Sequence, residues 1–551
     1  MKPSHLYSAR TVCCLFLLAI VPSLGAQENL VLPHTGVSED WSQRQIVFSR
    51  DALAQHPEIL DREPRVRNQW MRRSQPSNRD AFANFDPLAT HPKEHGIQRD
   101  WSVPSLGGRL RANTFPAKFT LDPNAPPDCV NDYVVFGLAI AGATGGQANL
   151  VAFNNLYVND SGTGLCSGTS PNVLFAYNVS TAGGKILTSP VMSEDGTKIV
   201  FVESVTGAPT SAIFHVLTWS SGAGTIGNAA APTSMTSVPF TSASDLYSSP
   251  WVDYSGDTAY VGDSLGNVYQ ITGVFTASPI LSRDPWPVSL STPYAVTSPV
   301  LDSHLGLLMV GSNNGNLYQI NTTTGAVATL SVGNTGNTGA GIDEPPIVDV
   351  TNGTTFVVSS NVGSSAALVE VDTSSMNALS TADIGVGSAG GTNVHIYQPA
   401  FSNAYYNDPS TGVVSLCGTG TSTDTSPWQY EYGFTGRTMF ERPETGFPVQ
   451  LSTSTTDRCT GWTEFYNPNI HSGVDFFFFG LTGDCTLYAT GFTGCVVALS
   501  SDPTILTASA QIDGGPSGIV VDNYNIAGSN IYFGSVSLDT LYQLSQDGVT
   551  P

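Results

Sequence analysis

Charged residues are scarce in this sequence, and positive ones above all. Of its 551 residues only 12% are charged, well below the roughly 25% typical of globular proteins. The 21 Lys and Arg face 44 Asp and Glu. The resulting net charge of −23 argues against a nucleic-acid partner, since neutralising phosphates takes clustered cations. With 40% hydrophobic content the chain is too apolar to be disordered. Its 55 Gly and 35 Pro, set among short apolar runs, predict an all-β protein.

Long hydrophobic segments are also missing. The apolar run at residues 12–21 is about ten residues long, too short to span a bilayer, and no later run reaches the required length. It follows Lys2 and Arg10 and precedes small residues ending at Ala26, which is the order of a secretory signal peptide. We therefore expect residues 1–26 to be a signal peptide cleaved near Ala26. The mature protein is then secreted or periplasmic, with no transmembrane segment.

Cysteine is rare, and its spacing favours disulfides over metal binding. Two of the eight cysteines, Cys13 and Cys14, lie in the signal segment. The other six are the disulfide candidates Cys129, Cys166, Cys417, Cys459, Cys485 and Cys495. An even number in an exported chain indicates disulfides, whose connectivity the sequence leaves open. Proximity favours 129 with 166, 417 with 459, and 485 with 495. None of these pairs has C-x-x-C spacing or a flanking His, so we expect no zinc there.

Charge divides the mature chain into an arm and a second, acidic region. Residues 27–118 contain 13 Lys and Arg against 11 Asp and Glu, whereas residues 119–551 contain 6 against 33, a net charge of −27. Helix-like stretches at residues 41–55 and 65–74 are interrupted by prolines. We predict that residues 27–98 form a basic, partly helical and otherwise irregular arm.

The acidic region repeats itself. At an offset of 49 residues, ten identities recur without a gap. They are Ser249, Pro250, Asp253, Val261, Gly262, Gly266, Asn267, Tyr269, Gln270 and Ile271, matched by Ser298, Pro299, Asp302, Val310, Gly311, Gly315, Asn316, Tyr318, Gln319 and Ile320. Each copy has a Ser-Pro opening, a β-branched run, a Gly-Asn turn and a second run, as hairpins do. Weaker copies over residues 116–551 bring the count to eight units of roughly 45–70 residues.

A unit of this size with three or four short strands is typical of a propeller blade. Because one blade cannot bury both of its faces, the units must stack. We predict a β-propeller of seven or eight four-stranded blades, with eight counted; an open solenoid is the alternative. The last unit has only three strands. Since residues 99–106 resemble residues 283–290, the expected outer strand of the third unit, we expect them to complete the last blade. The propeller then comprises residues 99–551.

The repeat resembles that of quinoprotein-like propellers, which are built from pyrroloquinoline-quinone-like repeats. The resemblance rests on the Ser-Pro opening, the V-G-S strand end, the G-N-L-Y turn and the closing Thr324-Gly325 step. The whole chain also resembles uncharacterised exported bacterial propeller proteins with a basic arm. The resemblance implies either a quinone-dependent dehydrogenase or a cofactor-free scaffold, including one that assembles outer-membrane proteins.

Two departures argue against the dehydrogenase branch of this resemblance. Those enzymes carry adjacent cysteines near the cofactor, whereas Cys13 and Cys14 here lie in the signal segment. Their docking tryptophan after Thr-Gly is replaced by Ala326. Only the fold is therefore carried over, with no catalytic residue and no quinone.

Motifs for metal chemistry are weak. Residues 91–95 spell H-x-x-E-H, a metalloprotease string, but Pro92 and Gly96 bracket it and a solvated linker fits better. Asp253, Asp257 and Asp263 lack the spacing of a calcium loop, and turn capping explains them. A weak calcium site stays open in so acidic a ring. Four further histidines fall in four different units, where satisfied structural roles are the simpler interpretation: His215, His304, His395 and His471.

Two groups of residues are candidate binding determinants. One lies in the sixth unit and contains Trp428, Tyr430, Tyr432, Arg437 and Arg442. Core packing of an ordinary blade explains its aromatic residues more simply, although exposed aromatic and Arg residues are typical of recognition surfaces.

The other candidate is Trp70 in the arm, flanked by Arg65, Arg67, Arg72 and Arg73. Three arrangements stay open for this stretch. It is a solvated helix, or it docks onto the acidic ring, or it contacts an anionic envelope component.

These observations predict an exported, non-enzymatic propeller that binds a protein or an extracellular polymer. No convergent catalytic motif or cofactor site is evident in the sequence. The alternative is a propeller enzyme, either a quinone-dependent oxidoreductase or a carbohydrate hydrolase or lyase, that uses the central funnel. The oligomeric state stays open.

Overall fold

Eight sheets with antiparallel neighbouring strands make up the repeat region, and the protein is an eight-bladed β-propeller. The computed structural model describes Met1 and residues 36–74, 97–123, 125–245, 247–333, 341–388, 395–441, 446–467, 473–488, 493–501, 507–522 and 530–546. All but Met1 belong to one unit that begins at Gly36. The expected signal segment apart from Met1, the H-x-x-E-H string, His471 and Arg442 lie outside the described residues.

The first four blades follow one another in chain order, each with a short first strand. The strands of blade 1 are Ala117–Thr120, Tyr133–Gly137, Leu150–Asn154 and Asn172–Tyr177; of blade 2, Lys185–Ile186, Val191–Met192, Lys198–Val205, Ser211–Thr218 and Met235–Thr241; of blade 3, Trp251–Asp253, Thr258–Gly262, Asn267–Thr272, Ile280–Leu281 and Val288–Ser289; of blade 4, Val300–Asp302, Leu307–Gly311, Asn316–Asn321 and Val327–Ser331.

The last four blades repeat the plan. The strands of blade 5 are Ile347–Asp349, Thr354–Val362, Ser365–Asp372 and Ala378–Val386; of blade 6, Ala400–Phe401, Val413–Thr419, Pro427–Thr435, Thr438–Glu441 and Val449–Gln450; of blade 7, Thr463–Asn467, Val474–Leu481, Cys495–Ser500 and Ala508–Gln511; of blade 8, Val520–Asp522, Asn530–Gly534, Leu541–Gln546 and, from the arm side, Ile97–Val103. Blade 6 also contains a helix, Asn403–Asn407, and a 3-10 turn, Pro409–Thr411.

The repeated sequence produces repeated hairpins. In blade 3 Val261 pairs with Tyr269 across the turn, and in blade 4 Val310 pairs with Tyr318 in the same register. Gly315 at the turn has a φ of +84°. Because L side chains rarely adopt this conformation, glycine is required there.

The ring is closed by the strand Ile97–Val103, which pairs antiparallel with Leu541–Gln546. The closing strand expected at residues 99–106 overlaps this strand. Trp101 within it is fully buried, and its Nε1 donates a hydrogen bond to the carbonyl oxygen of Leu156 in blade 1 at 2.9 Å. The first strand of blade 8 also contacts the first strand of blade 1. The closed ring is therefore confirmed, and the open solenoid is excluded.

Three disulfides join the pairs that proximity in the sequence favoured. Cys129 is bonded to Cys166, and Cys485 to Cys495. The third disulfide connects Cys417 in blade 6 to Cys459. Cys459 forms an isolated antiparallel β-bridge with Leu481 in blade 7. This disulfide therefore ties two neighbouring blades together.

The arm lies against the first strands of the blades, on the channel side. Its strand Val37–Glu39 pairs antiparallel with the first strand of blade 1, and Ile46–Val47 pairs parallel with the first strand of blade 5. Because blades 1 and 5 are opposite each other in a ring of eight, the arm crosses the axial channel.

Between and after these two strands the arm is helical. A 3-10 turn covers Trp41–Arg44, and three helices follow: α1 (Arg50–Leu53), α2 (Glu58–Arg62) and α3 (Pro64–Ser74). Every helix among the described residues is too short or too polar to cross a membrane.

Candidate binding site

The apolar residues of the arm fill the channel. Trp41 packs edge-on against Trp251 of blade 3, with ring centroids 5.9 Å apart. Phe48 packs against Tyr406 of blade 6 at 5.4 Å. Ile46 and Phe48 are completely buried. The centre of the ring is thus hydrophobic core, with side chains from the arm joined to those of the blades.

One end of the channel, where the first strands finish, is covered by the arm helices; we call it the helix mouth. Ser49, which caps α1, donates its backbone N–H to Thr351 Oγ1 beside blade 5 at 2.7 Å. Glu58 at the start of α2 lies 3.8 Å from His304 beside blade 4. The helices therefore sit over the turns that follow the first strands.

Arg65 anchors the helix mouth. Its guanidinium is fully buried and donates to Glu63 Oε1 at 2.9 Å, to Ser42 Oγ at 2.7 Å and to the carbonyl oxygen of Val252 at 3.0 Å. The same group lies 3.9 Å from the centre of the Trp251 ring. A buried cation is tolerated only when it is paired and hydrogen-bonded, and Arg65 meets both conditions.

Helix α3 places its other arginines against acidic residues. Arg67 pairs with Glu194 of blade 2 at 2.6 Å, and Arg73 pairs with Glu464 of blade 7 and lies 3.6 Å from the centre of the Tyr406 ring. Arg72 pairs instead with Glu39 of the arm itself at 3.3 Å.

Trp70 is half-buried in the same region. Its ring lies 6.3 Å from that of Phe48 and 5.3 Å from the Arg50 guanidinium. Of the three arrangements open to this stretch, the structure has the arm docked onto the acidic ring.

The opposite end of the channel is formed by residues that precede the first strands; we call it the loop mouth. Its members are Arg111, Asp245, Tyr247, Asp343, Glu344, His395, Tyr397 and Arg458. Arg111 lies 5.6 Å from the centre of the Tyr247 ring. Burial raises the pKa of Tyr397, and the charges of Glu344, Asp343, Arg111 and Arg458 all act on it. These side chains therefore share one electrostatic environment.

Arg44 lies beneath the loop mouth and lacks the partners that Arg65 has. Its guanidinium is 4.7 Å from the Phe115 ring, and neither Nη1 nor Nη2 has a hydrogen-bond partner among the described residues. Burial lowers the pKa of Arg44 to about 9, and the charge of Glu344 only partly opposes this. Burial likewise raises the pKa of Glu344 to about 8.

Two further carboxyl groups complete the electrostatics of the loop mouth. Burial raises the pKa of Asp245 to about 8, as it does that of Glu344. Asp343 accepts from His395 Nδ1 at 2.8 Å, and this hydrogen bond raises the pKa of His395. Arg44, Arg111 and Arg458 therefore lie near two carboxyl groups whose ionisation is disfavoured by burial.

Among the described residues, the cavity found between the two mouths is small. A cavity of about 50 Å³ lies inside the channel, lined among others by Gln43, Arg44, Gln69 and Glu464. Pockets for small-molecule ligands usually measure roughly 300–1,000 Å³. The cavity therefore has room for a few water molecules, but not for a substrate.

The sixth-unit candidates are separated by the structure. Tyr430 and Tyr432 are buried, and their hydroxyls donate to the carbonyl oxygens of Thr419 and Asp383. Trp428 and Arg437 lie at opposite ends of the strand Pro427–Thr435. The tyrosines thus contribute to packing, as the simpler interpretation of this run predicted.

The other two residues of this group make polar contacts of their own. Trp428 is half-buried and donates to Asp424 Oδ2 at 3.0 Å, and the exposed Arg437 pairs with Asp372 at 2.9 Å.

The aspartates considered for calcium hold turns. Asp253 Oδ1 accepts from the N–H of Gly256 at 3.1 Å, and Asp263 Oδ1 accepts from that of Leu265 at 2.9 Å. Asp257 accepts from the N–H of Phe275 at 2.6 Å. Each carboxylate therefore satisfies local backbone groups, which is what turn capping requires.

One polar chain in blade 2 was not anticipated from the sequence. The exposed Ser237 hydroxyl lies 2.9 Å from His215 Nδ1, and His215 Nε2 lies 3.1 Å from Glu203 Oε2. Three adjacent strands carry these residues, so their order follows from strand pairing and not from any motif in the sequence. Glu203 also accepts from the backbone N–H groups of Thr181, Ala182 and Gly184. It therefore holds a turn as well as the histidine, and its pKa is lowered to about 2 despite burial, by hydrogen bonds from His215 and Thr181.

Comparisons with known proteins find only distant structural similarity. No family model and no curated protein matches the chain. Among solved structures, BamB from Moraxella catarrhalis is 14% identical, with 82% of this chain and 99% of that chain covered and a TM-score of 0.43. The WD40 domain of Toxoplasma gondii coronin is 12% identical, with coverage of 82% and 88% and a TM-score of 0.40. The computationally designed Ika8 protein is 10% identical, with coverage of 82% and 100% and a TM-score of 0.44. Similarity at this level carries no argument about function.

Proposed function

We propose that the protein is an exported binding module that holds a protein or an extracellular polymer at its loop mouth. The observation that carries this proposal is the filled channel, in which the arm leaves a cavity of only about 50 Å³. An enzyme using the central funnel needs a substrate-sized space at that place. A binding surface needs only the rim.

The chemistry of the loop mouth favours a ligand that presents carboxylates. Arg44, Arg111 and Arg458 supply positive charge, and guanidinium groups bind carboxylates in a bidentate geometry. Tyr247 and Tyr397 add half-buried aromatic rings beside them. Tyrosine and arginine are the residue types that most often dominate binding energy. The ligand is then an acidic segment of a protein or an acidic polymer.

Binding assays with two probes test this proposal. We expect a poly-glutamate peptide, polygalacturonate or both to bind the full mature chain, and binding to weaken with added salt. Arg111→Gln and Arg458→Gln should each weaken binding about tenfold, since a lost charge-assisted hydrogen bond costs roughly 1.5–3 kcal/mol. Arg283→Gln, which removes an exposed charge from blade 3, is the matched control.

An equal loss of binding affinity in all three variants, or no binding of either probe, would overturn the proposed site. The two probes distinguish a protein ligand from a polymer ligand. Only a probe of the class that the site binds should bind more weakly to Arg111→Gln and Arg458→Gln than to the wild type.

The compartment supports an extracellular or periplasmic role. Three disulfides indicate an oxidising environment. Cleavage of a signal peptide near Ala26 remains a prediction, which N-terminal sequencing of the mature protein tests. We further propose that no quinone is bound. Added pyrroloquinoline quinone with calcium should then produce no dye-linked oxidation.

A serine hydrolase is the second candidate, and one observation favours it. Ser237, His215 and Glu203 are hydrogen-bonded in the order of a catalytic triad, with the serine exposed. In this role His215 would take the proton of the Ser237 hydroxyl and Glu203 would orient the ring.

A fluorophosphonate probe separates this candidate from the binding module. An active serine should be labelled in the wild type and in Ser234→Ala, but not in Ser237→Ala. If the probe labels neither the wild type nor the control, the polar chain is structural and the hydrolase is excluded.

A further inference from the structure

Three metal-ligating side chains meet at the helix mouth, where the arm touches blade 4. His56 precedes α2, Glu58 begins it, and His304 follows the first strand of blade 4. Their ligand atoms all lie within 4.8 Å of one another. His56 Nδ1 is 3.3 Å from Glu58 Oε1, His304 Nδ1 is 3.8 Å from the same oxygen, and the two imidazole centroids are 5.0 Å apart.

The backbone holds these side chains in place. The N–H of His304 donates to Asp302 Oδ1 at 3.0 Å, which fixes its hairpin turn. The N–H of His56 donates to the carbonyl oxygen of Leu53 at 3.0 Å, and Ile59, the next residue after Glu58, is completely buried. The ligands are therefore carried on ordered backbone from two separate parts of the fold, as a pre-organised site requires.

The donor set matches one class of metal. Two imidazoles and a carboxylate suit zinc and neighbouring transition metals, whereas calcium and magnesium prefer oxygen alone. With bonds of about 2.0–2.1 Å, two ligands of a tetrahedral zinc ion stand about 3.3 Å apart. The observed separations of 3.3 and 3.8 Å need only small side-chain adjustments to reach this value.

The partial exposure of the three side chains also suits metal binding. The side chains of His56, Glu58 and His304 are 44%, 46% and 31% exposed, so an ion can enter and keep water as a further ligand. We propose that His56, Glu58 and His304 form a zinc-type metal site that fastens the arm to blade 4. A metal that binds the docked arm but not the released arm stabilises docking by mass action.

Zinc titration of the metal-free, full mature chain tests the site. Isothermal calorimetry should detect one equivalent of zinc, and His304→Ala and Glu58→Gln should each lower the affinity at least about tenfold. Asp61→Asn, which changes an exposed acid on the same helix, is the matched control and should bind as the wild type does.

A second pair of substitutions tests whether zinc binds instead to the H-x-x-E-H string at residues 91–95. The double variant His91→Ala/His95→Ala deletes the H-x-x-E-H string and should retain the full affinity. Loss of zinc binding in that variant, or equal affinity in His304→Ala and the wild type, would overturn the proposal.

Proteolysis supplies a readout that a general surface affinity for zinc would not change. Arg62 is exposed at the end of α2. Zinc should slow tryptic cleavage at Arg62 in the wild type and in Asp61→Asn, but not in His304→Ala. Circular dichroism of each variant confirms that the ring is folded, and an unchanged cleavage rate in the wild type would contradict the fastening role.

Discussion

The two mouths of the channel use arginine in opposite ways. At the helix mouth Arg65 is fully buried and makes three hydrogen bonds, one of them to the carboxylate of Glu63. Beneath the loop mouth, Nη1 and Nη2 of Arg44 have no hydrogen-bond partner among the described residues, and burial raises the pKa of the nearby Glu344 to about 8. Satisfied buried charges are expected in structural contacts, whereas unsatisfied polar groups call for a separate explanation. Partners from within the chain therefore satisfy Arg65, whereas the Nη atoms of Arg44 at the other end of the channel have no such partner among the described residues.

The largest expected effect on stability comes from replacing Arg65 at the helix mouth. Arg65→Ala leaves Glu63 and Asp40 buried without their cation, and we expect it to lower the free energy of unfolding by about 3–5 kcal/mol. Urea denaturation measures the change. Arg62→Ala, an exposed neighbour, should stay within about 0.5 kcal/mol of the wild type. A similar, small change in both variants would show that Arg65 does not anchor the arm.

The next effect concerns pH at the loop mouth. Glu344 has its pKa raised from 4.5 to about 8, so its contribution to stability is complete below pH 4.5 and is lost as pH rises through 8. Glu344→Gln should flatten the decline in unfolding free energy between these values by up to about 1.4 kcal/mol per pH unit.

Glu203 supplies the opposite sign as a control. Its pKa is lowered to about 2, so its contribution is present above pH 4.5 and is lost as pH falls toward 2. Glu203→Gln should therefore leave the pH dependence of the free energy of unfolding unchanged between about pH 5 and pH 8, near the range in which native proteins are most stable. Urea titrations over that range measure it. Parallel profiles for the wild type and Glu344→Gln would contradict the buried, protonated state of Glu344.

A smaller effect is expected from Trp70→Ala. The ring is half-buried against Phe48 and Arg50, and its removal should cost about 2 kcal/mol. Limited trypsin digestion should then cleave the arm near Arg72 faster than in the wild type, while added salt alone should release it only partly. Equal cleavage rates in both proteins would mean that Trp70 does not hold the arm.

The smallest expected effects on the free energy of unfolding come from substitutions at the loop mouth. Arg111→Gln and Arg458→Gln lie at the rim of the loop mouth, and we expect each to keep the free energy of unfolding within about 0.5 kcal/mol of the wild type. Thermal melts of the two variants provide the measurement. A loss comparable to that of Arg65→Ala would assign the loop mouth to folding as well.

The fold could be predicted because its signals are local and repeated. The Ser-Pro openings and the Gly-Asn turns recur at a fixed offset in blades 3 and 4, and each marks one hairpin. The disulfides follow proximity in the sequence. The closing strand was detectable because residues 99–106 resemble the outer strand of blade 3.

The site could not be predicted, because the contacts that form it are distant in the sequence. The arm strand Ile46–Val47 is only two residues long, and it is a strand only because the first strand of blade 5 pairs with it. His56 and His304 have no shared motif and meet only in the folded ring. Tyr430 and Tyr432 have the composition of a binding surface, yet the alternation of a buried strand places them in the core.

The closing strand has a consequence for the order of events during folding. Asp100 accepts hydrogen bonds from Gln543 and Ser545, across separations of 443 and 445 residues. Blade 8 therefore cannot be completed until almost the whole described chain is present, and contacts of such long range slow folding. Until that moment the growing ring has an open edge, and the arm has no finished channel to occupy. Nucleation can begin in any of the similar middle blades, but closing the ring joins two segments that are 443 residues apart in the sequence.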